Sequence, residues 1–155
     1  MGVNDIFSVE HVLLDLNVKN KLDLLQKLST DLASRFQYSE QEVLEALLAR
    51  ERLGSTALGR GVALPHARLP GDILPAIIFA RLQRPIDFEA KDDEPVDLVF
   101  LVLWPEASAE GFLATLSEIC VSLRDAHVLR KLRVAKVPED VVTTLLRKPP
   151  SSATA

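Results

Sequence analysis

Cysteine occurs once in 155 residues, as Cys120, so no intramolecular disulfide can form and a disulfide-framed secreted fold is excluded. The same count removes metal sites built from three or four thiolates. Positive charge is not in excess either. Eighteen Lys and Arg stand against 22 Asp and Glu, for a net charge of −4, and no dense basic run is present. A protein that tracks nucleic-acid phosphates carries a basic stripe, so no nucleic-acid partner is expected. Long apolar runs are missing as well. The longest candidate, residues 96–104, is strand-sized and includes Asp97, against the roughly 18 residues a bilayer span needs. The opening Met-Gly-Val-Asn-Asp-Ile has neither half of a secretory leader, and Ile6 stands where a myristoylation pattern wants a hydroxyl. The expectation is a cytoplasmic protein with no membrane partner. No internal repeat is visible at any period of about 20–50 residues.

What the chain does have is the mixture of one globular domain, 48% apolar and 26% charged. At this length a single core buries about two-thirds of the unfolded surface. Leu22, Leu25, Leu28, Leu32 and Phe36 recur at three- and four-residue steps and predict an amphipathic helix over 20–36. Ser39 followed by Glu42 reads as a capping box opening a second helix, which Gly54 ends. Residues 76–82 read as a strand, 85–94 as turns, and 96–103 as a strand covered on both faces. Phe112, Leu113, Leu116, Ile119, Cys120 and Leu123 predict a helix over 109–123, with shorter helices over 126–133 and from Pro138 to about 147. Helices at both ends with strands between them give an α/β fold, a central mixed sheet with helices packed on both faces.

The chemistry concentrates between residues 50 and 68. This stretch holds three of the six glycines, at 54, 59 and 61. Such glycines let the backbone approach a ligand, and successive amides in their turns can cradle an anion. Ser55 and Thr56 add hydroxyl donors, and Arg50, Arg52, Arg60 and Arg68 add positive charge. Pro65 stiffens the chain immediately before His66. The composition suggests an imidazole beside a phosphate cradle, although a lone histidine after proline is more often an ordinary surface or capping residue. A serine-hydrolase reading of Ser55 with His66 lacks the G-x-S-x-G elbow. A metal reading fails because His11 and His127 fall at no ligand spacing.

The order of these residues is more specific than their composition. Arg50-Glu51-Arg52-Leu53-Gly54-Ser55-Thr56, then Gly59-Arg60-Gly61-Val62-Ala63-Leu64-Pro65-His66, resembles the enzyme IIA proteins of the fructose/mannitol phosphotransferase superfamily. Pro85-Ile86-Asp87-Phe88 and Pro95-Val96-Asp97-Leu98 extend the likeness, which is strongest to the nitrogen-regulatory branch and covers residues 1–147 as one domain. The resemblance implies that His66 accepts a phosphoryl group from a small histidine-phosphorylated carrier protein. It implies a phosphotransferase component that acts through its own phosphohistidine on regulatory target proteins. No metal or nucleotide cofactor is required when the donor is itself a phosphohistidine. Arg50, Ser55, Thr56, Gly59, Gly61 and Arg68 are the expected phosphate-binding set. Three positions depart from the family pattern nearby, with Arg60 for asparagine, Ala67 for glycine and Arg68 for a frequent lysine. The larger departure is Phe112, where the family commonly carries a second histidine. A fold-retaining interaction module with little transfer activity is the alternative.

Beyond residue 147 the composition turns to proline, serine, alanine and threonine, and a disordered tail over 148–155 is expected. Deleting those eight residues should change unfolding free energy by less than about 0.5 kcal/mol in a denaturant titration, whereas a larger loss means that the tail docks.

Overall fold

The computed structural model describes residues 2–146, so the expected tail lies outside it. A short helix α1 (Val3–Ile6) and a 3-10 turn (Val9–His11) lead into strand β1 (Val12–Leu16). Helices α2 (Lys21–Phe36) and α3 (Glu40–Arg52) follow, then three short strands, β2 (Ala57–Gly59), β3 (Val62–Ala63) and β4 (His66–Leu69). The long strands β5 (Ala76–Ile86) and β6 (Val96–Pro105) precede α4 (Ala109–Leu123), α5 (Ala126–Val134) and α6 (Pro138–Leu146). Among the described residues no helix is long and apolar enough to cross a membrane.

The sheet runs β1-β5-β6-β3-β2, with β4 also on β6. Strand β6 is its spine: antiparallel to β5, it carries β3 and then β4 in parallel along its other edge. Alternation along the two long strands sends successive side chains to opposite faces. Ile78, Ala80, Val99, Leu101 and Leu103 meet Leu24, Leu25, Leu28, Leu32, Val43 and Leu47 of α2 and α3. Ile77, Phe79, Leu98, Phe100, Val102 and Trp104 meet Phe112, Ile119, Leu129, Leu132 and Val141 of α4 to α6. Helices cover both faces of a mixed sheet.

Helix starts follow their caps. The Asn20 side chain accepts the Asp23 amide at 2.8 Å and opens α2, and Ser39 Oγ accepts the Glu42 amide at 3.3 Å and opens α3. The apolar stripes need two corrections. Leu22 and Leu113 are 49% and 68% exposed. Leu22 lies two residues, hence about 200° around the helix, from Leu24, and Leu113 sits about 100° off the Phe112 side. The turn expected over 85–94 begins later, because β5 continues through Pro85 and pairs Ile86 with Val96 after an irregularity in register. The missed strand β1 is itself irregular, with a register shift between Leu13 and Leu16 and a left-handed Asp15 at φ 57°.

Gly61 closes the β2–β3 hairpin at φ 81°. Its carbonyl accepts the amides of Asp97 and Leu98 at 3.0 and 3.1 Å. A Cβ there would lie 2.9 Å from Asp97 Oδ1 and 2.5 Å from Arg133 Nη2, the two members of an ion pair. Gly61→Val should therefore destabilise the fold by at least about 1–3 kcal/mol from backbone conformation alone, read as a lowered Tm. An unchanged Tm would mean that this hairpin is not fixed as described.

Candidate functional site

His66 opens β4 and pairs with Val102 of β6, while no other strand flanks β4 among the described residues. An edge position lets both helix layers reach the ring. From one side, the His66 Nδ1 atom lies 2.8 Å from the Leu64 carbonyl oxygen. From the α3 side, Arg50 Nε lies 3.3 Å from Nε2. A carbonyl can only accept and a guanidinium can only donate. Nδ1 therefore carries the hydrogen and Nε2 keeps its lone pair. From the other layer, the Phe112 ring stands 5.7 Å from the imidazole, centre to centre, tilted by 55°. Arg68, two residues along the same strand, holds its guanidinium 6.0 Å from the Phe112 ring centre, within cation–π range.

Arg50 is anchored from behind. Its Nη1 donates to the Gly54 carbonyl at 3.0 Å. The turn after Gly54 is fixed by the two hydroxyls expected to bind phosphate. Ser55 Oγ donates to the Phe88 carbonyl at 2.6 Å and accepts the Ala57 amide at 3.2 Å. The Thr56 hydroxyl donates to Glu51, whose other carboxylate oxygen accepts the Thr56 amide at 3.2 Å. Thr56 is buried as well. Both hydroxyl hydrogens are thus committed to the protein, and these residues shape the turn that holds Arg50.

The glycines lie further along the same edge. Val62 is in register with Leu98 and His66 with Val102, so four residues of β6 separate the Gly61 end from the imidazole, about 13 Å at the usual strand rise. Gly59 faces Asp92, and Gly61 faces Asp97 and Arg133. Arg60 belongs to the same remote end, where its guanidinium donates to the carbonyls of Arg124 and Leu123 and caps α4. The motif thus splits. Arg50 and Phe112 flank His66, with Arg68 against Phe112, whereas Gly59, Arg60 and Gly61 build a hairpin.

The family described as "Phosphoenolpyruvate-dependent sugar phosphotransferase system, EIIA 2" matches residues 5–148. The chain belongs to that enzyme IIA family. A nitrogen regulatory protein of Bradyrhizobium diazoefficiens is 41% identical over 153 residues, covering 99% of this chain and 100% of that one. The crystal structure of the nitrogen regulatory protein IIA-Ntr from Neisseria meningitidis superposes with a TM-score of 0.87 at 34% identity, over 92% of this chain and 98% of the other. Mannitol IIA from Escherichia coli shares the fold at a TM-score of 0.76 and 20% identity, over 90% and 98% of the two chains.

Three residues of this enzyme IIA join the site with no role legible in the motif: Leu64 and Glu51, which lie within it, and Lys21, which lies outside it. Lys21 Nζ lies 2.8 Å from Glu51 Oε1, which places it one contact behind the Thr56 turn. A signal for Glu51 exists: an acid in a helix's last turn opposes the macrodipole and so calls for a specific partner.

Burial pushes the His66 ring below the ordinary histidine value of 6.5, and the Arg50 guanidinium acts in the same direction. The bond to the Leu64 carbonyl and the Glu51 carboxylate pull the other way. Below pH 6.5 the unfolded chain takes up a proton that the native ring resists. The site's contribution to stability is therefore present above that pH and is lost as pH falls towards the folded value. An NMR titration of the His66 ring should show a midpoint below 6.5, raised in Arg50→Gln; a midpoint at or above 6.5 contradicts this electrostatic picture.

Proposed function

We propose that this chain is a regulatory phosphocarrier that accepts a phosphoryl group on His66 Nε2 from a small histidine-phosphorylated carrier protein. The observation that carries the reading is the fixed tautomer, with Nδ1–H on the Leu64 carbonyl and the Nε2 lone pair beside Arg50. In the transfer, the Nε2 lone pair forms the new N–P bond and the old N–P pair returns to the donor's ring nitrogen. The His66 ring becomes cationic as the bond forms, and the Leu64 carbonyl is already placed against the hydrogen that then bears charge. Arg50 exchanges its contact with Nε2 for the phosphoryl oxygens, where positive charge offsets the spread negative charge of the transition state. Arg68, with its guanidinium over the Phe112 ring, is a second cation on the strand that carries His66. The nitrogen-regulatory relatives support regulation as the purpose of the transfer, and regulatory target proteins are the onward partners of this proposal.

Phe112 favours a second reading, an interaction module with little transfer. A phenyl ring at this distance from the imidazole packs and excludes water but gives no hydrogen bond to a phosphoryl oxygen. Intact mass after incubation with phosphoenolpyruvate, the general phosphotransferase enzyme and its small carrier separates the two. The expected result is a gain of one acid-labile, alkali-stable phosphate that His66→Ala abolishes with the fold intact. Phe112→His should speed the transfer, by up to about 10²-fold to 10³-fold at the upper end for one added donor. No phosphate on the wild-type chain, or label remaining in His66→Ala, would defeat the assignment.

A further inference from the structure

The pair behind the Thr56 turn stands at the wrong ends of its helices. Lys21 is the first residue of α2, where aligned peptide dipoles favour an anion, and Glu51 lies in the last turn of α3, where they favour a cation. They meet nonetheless, 2.8 Å apart, with side chains only 16% and 6% exposed. The same ammonium lies 3.1 Å from Glu89 Oε1 and 4.5 Å from the centre of the Phe88 ring. Two groups that fix the turn are therefore in Lys21's grasp. Glu51 receives the Thr56 amide and hydroxyl, and the backbone of Phe88 receives the Ser55 hydroxyl. That turn begins at Gly54, whose carbonyl holds Arg50 against His66.

We propose that Lys21 is a positioning residue for phosphoryl transfer, locking Glu51 and Phe88 onto the turn so that the Arg50 guanidinium is aimed at His66 Nε2. The proposal rests on the phosphocarrier reading. An exposed ion pair can be deleted with little consequence, but a carboxylate this buried cannot lose the cation it pairs with among the described residues without reorganising. The reorganisation falls on the two Thr56 contacts, because they are the other bonds to that carboxylate. An aim lost by about 1 Å is enough to slow an in-line transfer heavily.

Lys21→Met keeps an unbranched apolar side chain of similar length and removes the charge, both from Glu51 and from the Phe88 ring. With the fold checked by circular dichroism, it should slow phosphoryl transfer by on the order of ten- to a hundred-fold. It should also move the His66 Nε2 resonance in ring ¹⁵N spectra, because the Arg50 donor has shifted. Lys21→Arg should recover most of the rate and the spectrum. If Lys21→Met does not fold, Glu51→Gln carries the same expectations, since the effect travels through that carboxylate. A folded Lys21→Met or Glu51→Gln with wild-type rate and an unmoved Nε2 resonance overturns the proposal while leaving the phosphocarrier reading intact. A wild-type chain that takes no phosphate overturns that reading instead, whatever the spectra show.

Discussion

The hydrogen between His66 Nδ1 and the Leu64 carbonyl decides what the other ring nitrogen can do. Leu64 and Pro65 are buried, and the Pro65 carbonyl accepts the Val102 amide at 3.0 Å, so this short piece of chain is bolted to β6. With Nδ1 occupied, the ring cannot turn over without giving up a bond in a half-buried place, where an unmade hydrogen bond is expensive. Nε2 is left facing Arg50, in the protonation state a nucleophile needs. Burial and the guanidinium both disfavour the ring cation, which keeps the lone pair free at neutral pH. A single backbone carbonyl thus fixes the orientation and the tautomer together.

The two helix layers divide the remaining work. The α2–α3 layer brings charge: Arg50 at the ring, and behind it Glu51 and Lys21, which stabilise the turn from Gly54 onward. The α4 layer brings an apolar wall, Phe112, backed by Trp104 at 6.1 Å between ring centres. They can meet only where the sheet ends, because elsewhere β6 and its neighbours separate the two cores. Placing His66 on β4, a strand paired on one side, is what gives one imidazole access to both. The β2–β3 hairpin occupies the same edge further back, held by the Asp97–Arg133 pair and by Arg60 on the end of α4. It stiffens the edge without touching the ring.

Much of this is legible in the chain itself. The long helices can be read from leucines at helical spacing, and β5 and β6 from continuous apolar runs, because both signals are local. His66 stands out because Pro65 and the surrounding order of residues match a known pattern. The glycine turn is ambiguous in sequence for a physical reason: glycine meets the needs of a tight hairpin and of a phosphate cradle equally well, and only the register of β3 and β4 on β6 shows how far it lies from His66. Ser55 and Thr56 are ambiguous in the same way, since a hydroxyl's partner is set by tertiary position. Lys21 is unreadable as part of the site because thirty residues separate it from Glu51, and a lysine at a helix start looks like an ordinary solvated charge. Small strands such as β3, two residues long, exist only because β6 offers them an edge.

Phe112 shows how far upstream a site residue is determined. The preceding residue, Gly111, lies so close to the Trp104 indole that a Cβ there would fall 2.6 Å from Cζ2. Any side chain at 111 would lift the first turn of α4 off the sheet, and Phe112 would lift with it. The absence of a side chain at 111 is therefore what lets the phenyl ring settle 5.7 Å from the imidazole, with the Arg68 guanidinium 6.0 Å from its centre. Trp104 in turn is in register with Arg68 on β4, two residues after His66. The wall of the site and the strand that carries its histidine are thus positioned by the same stretch of β6, one through an indole face and the other through backbone pairing. A change in how α4 seats on Trp104 alters the surroundings of His66 without touching the hydrogen bonds that hold its ring.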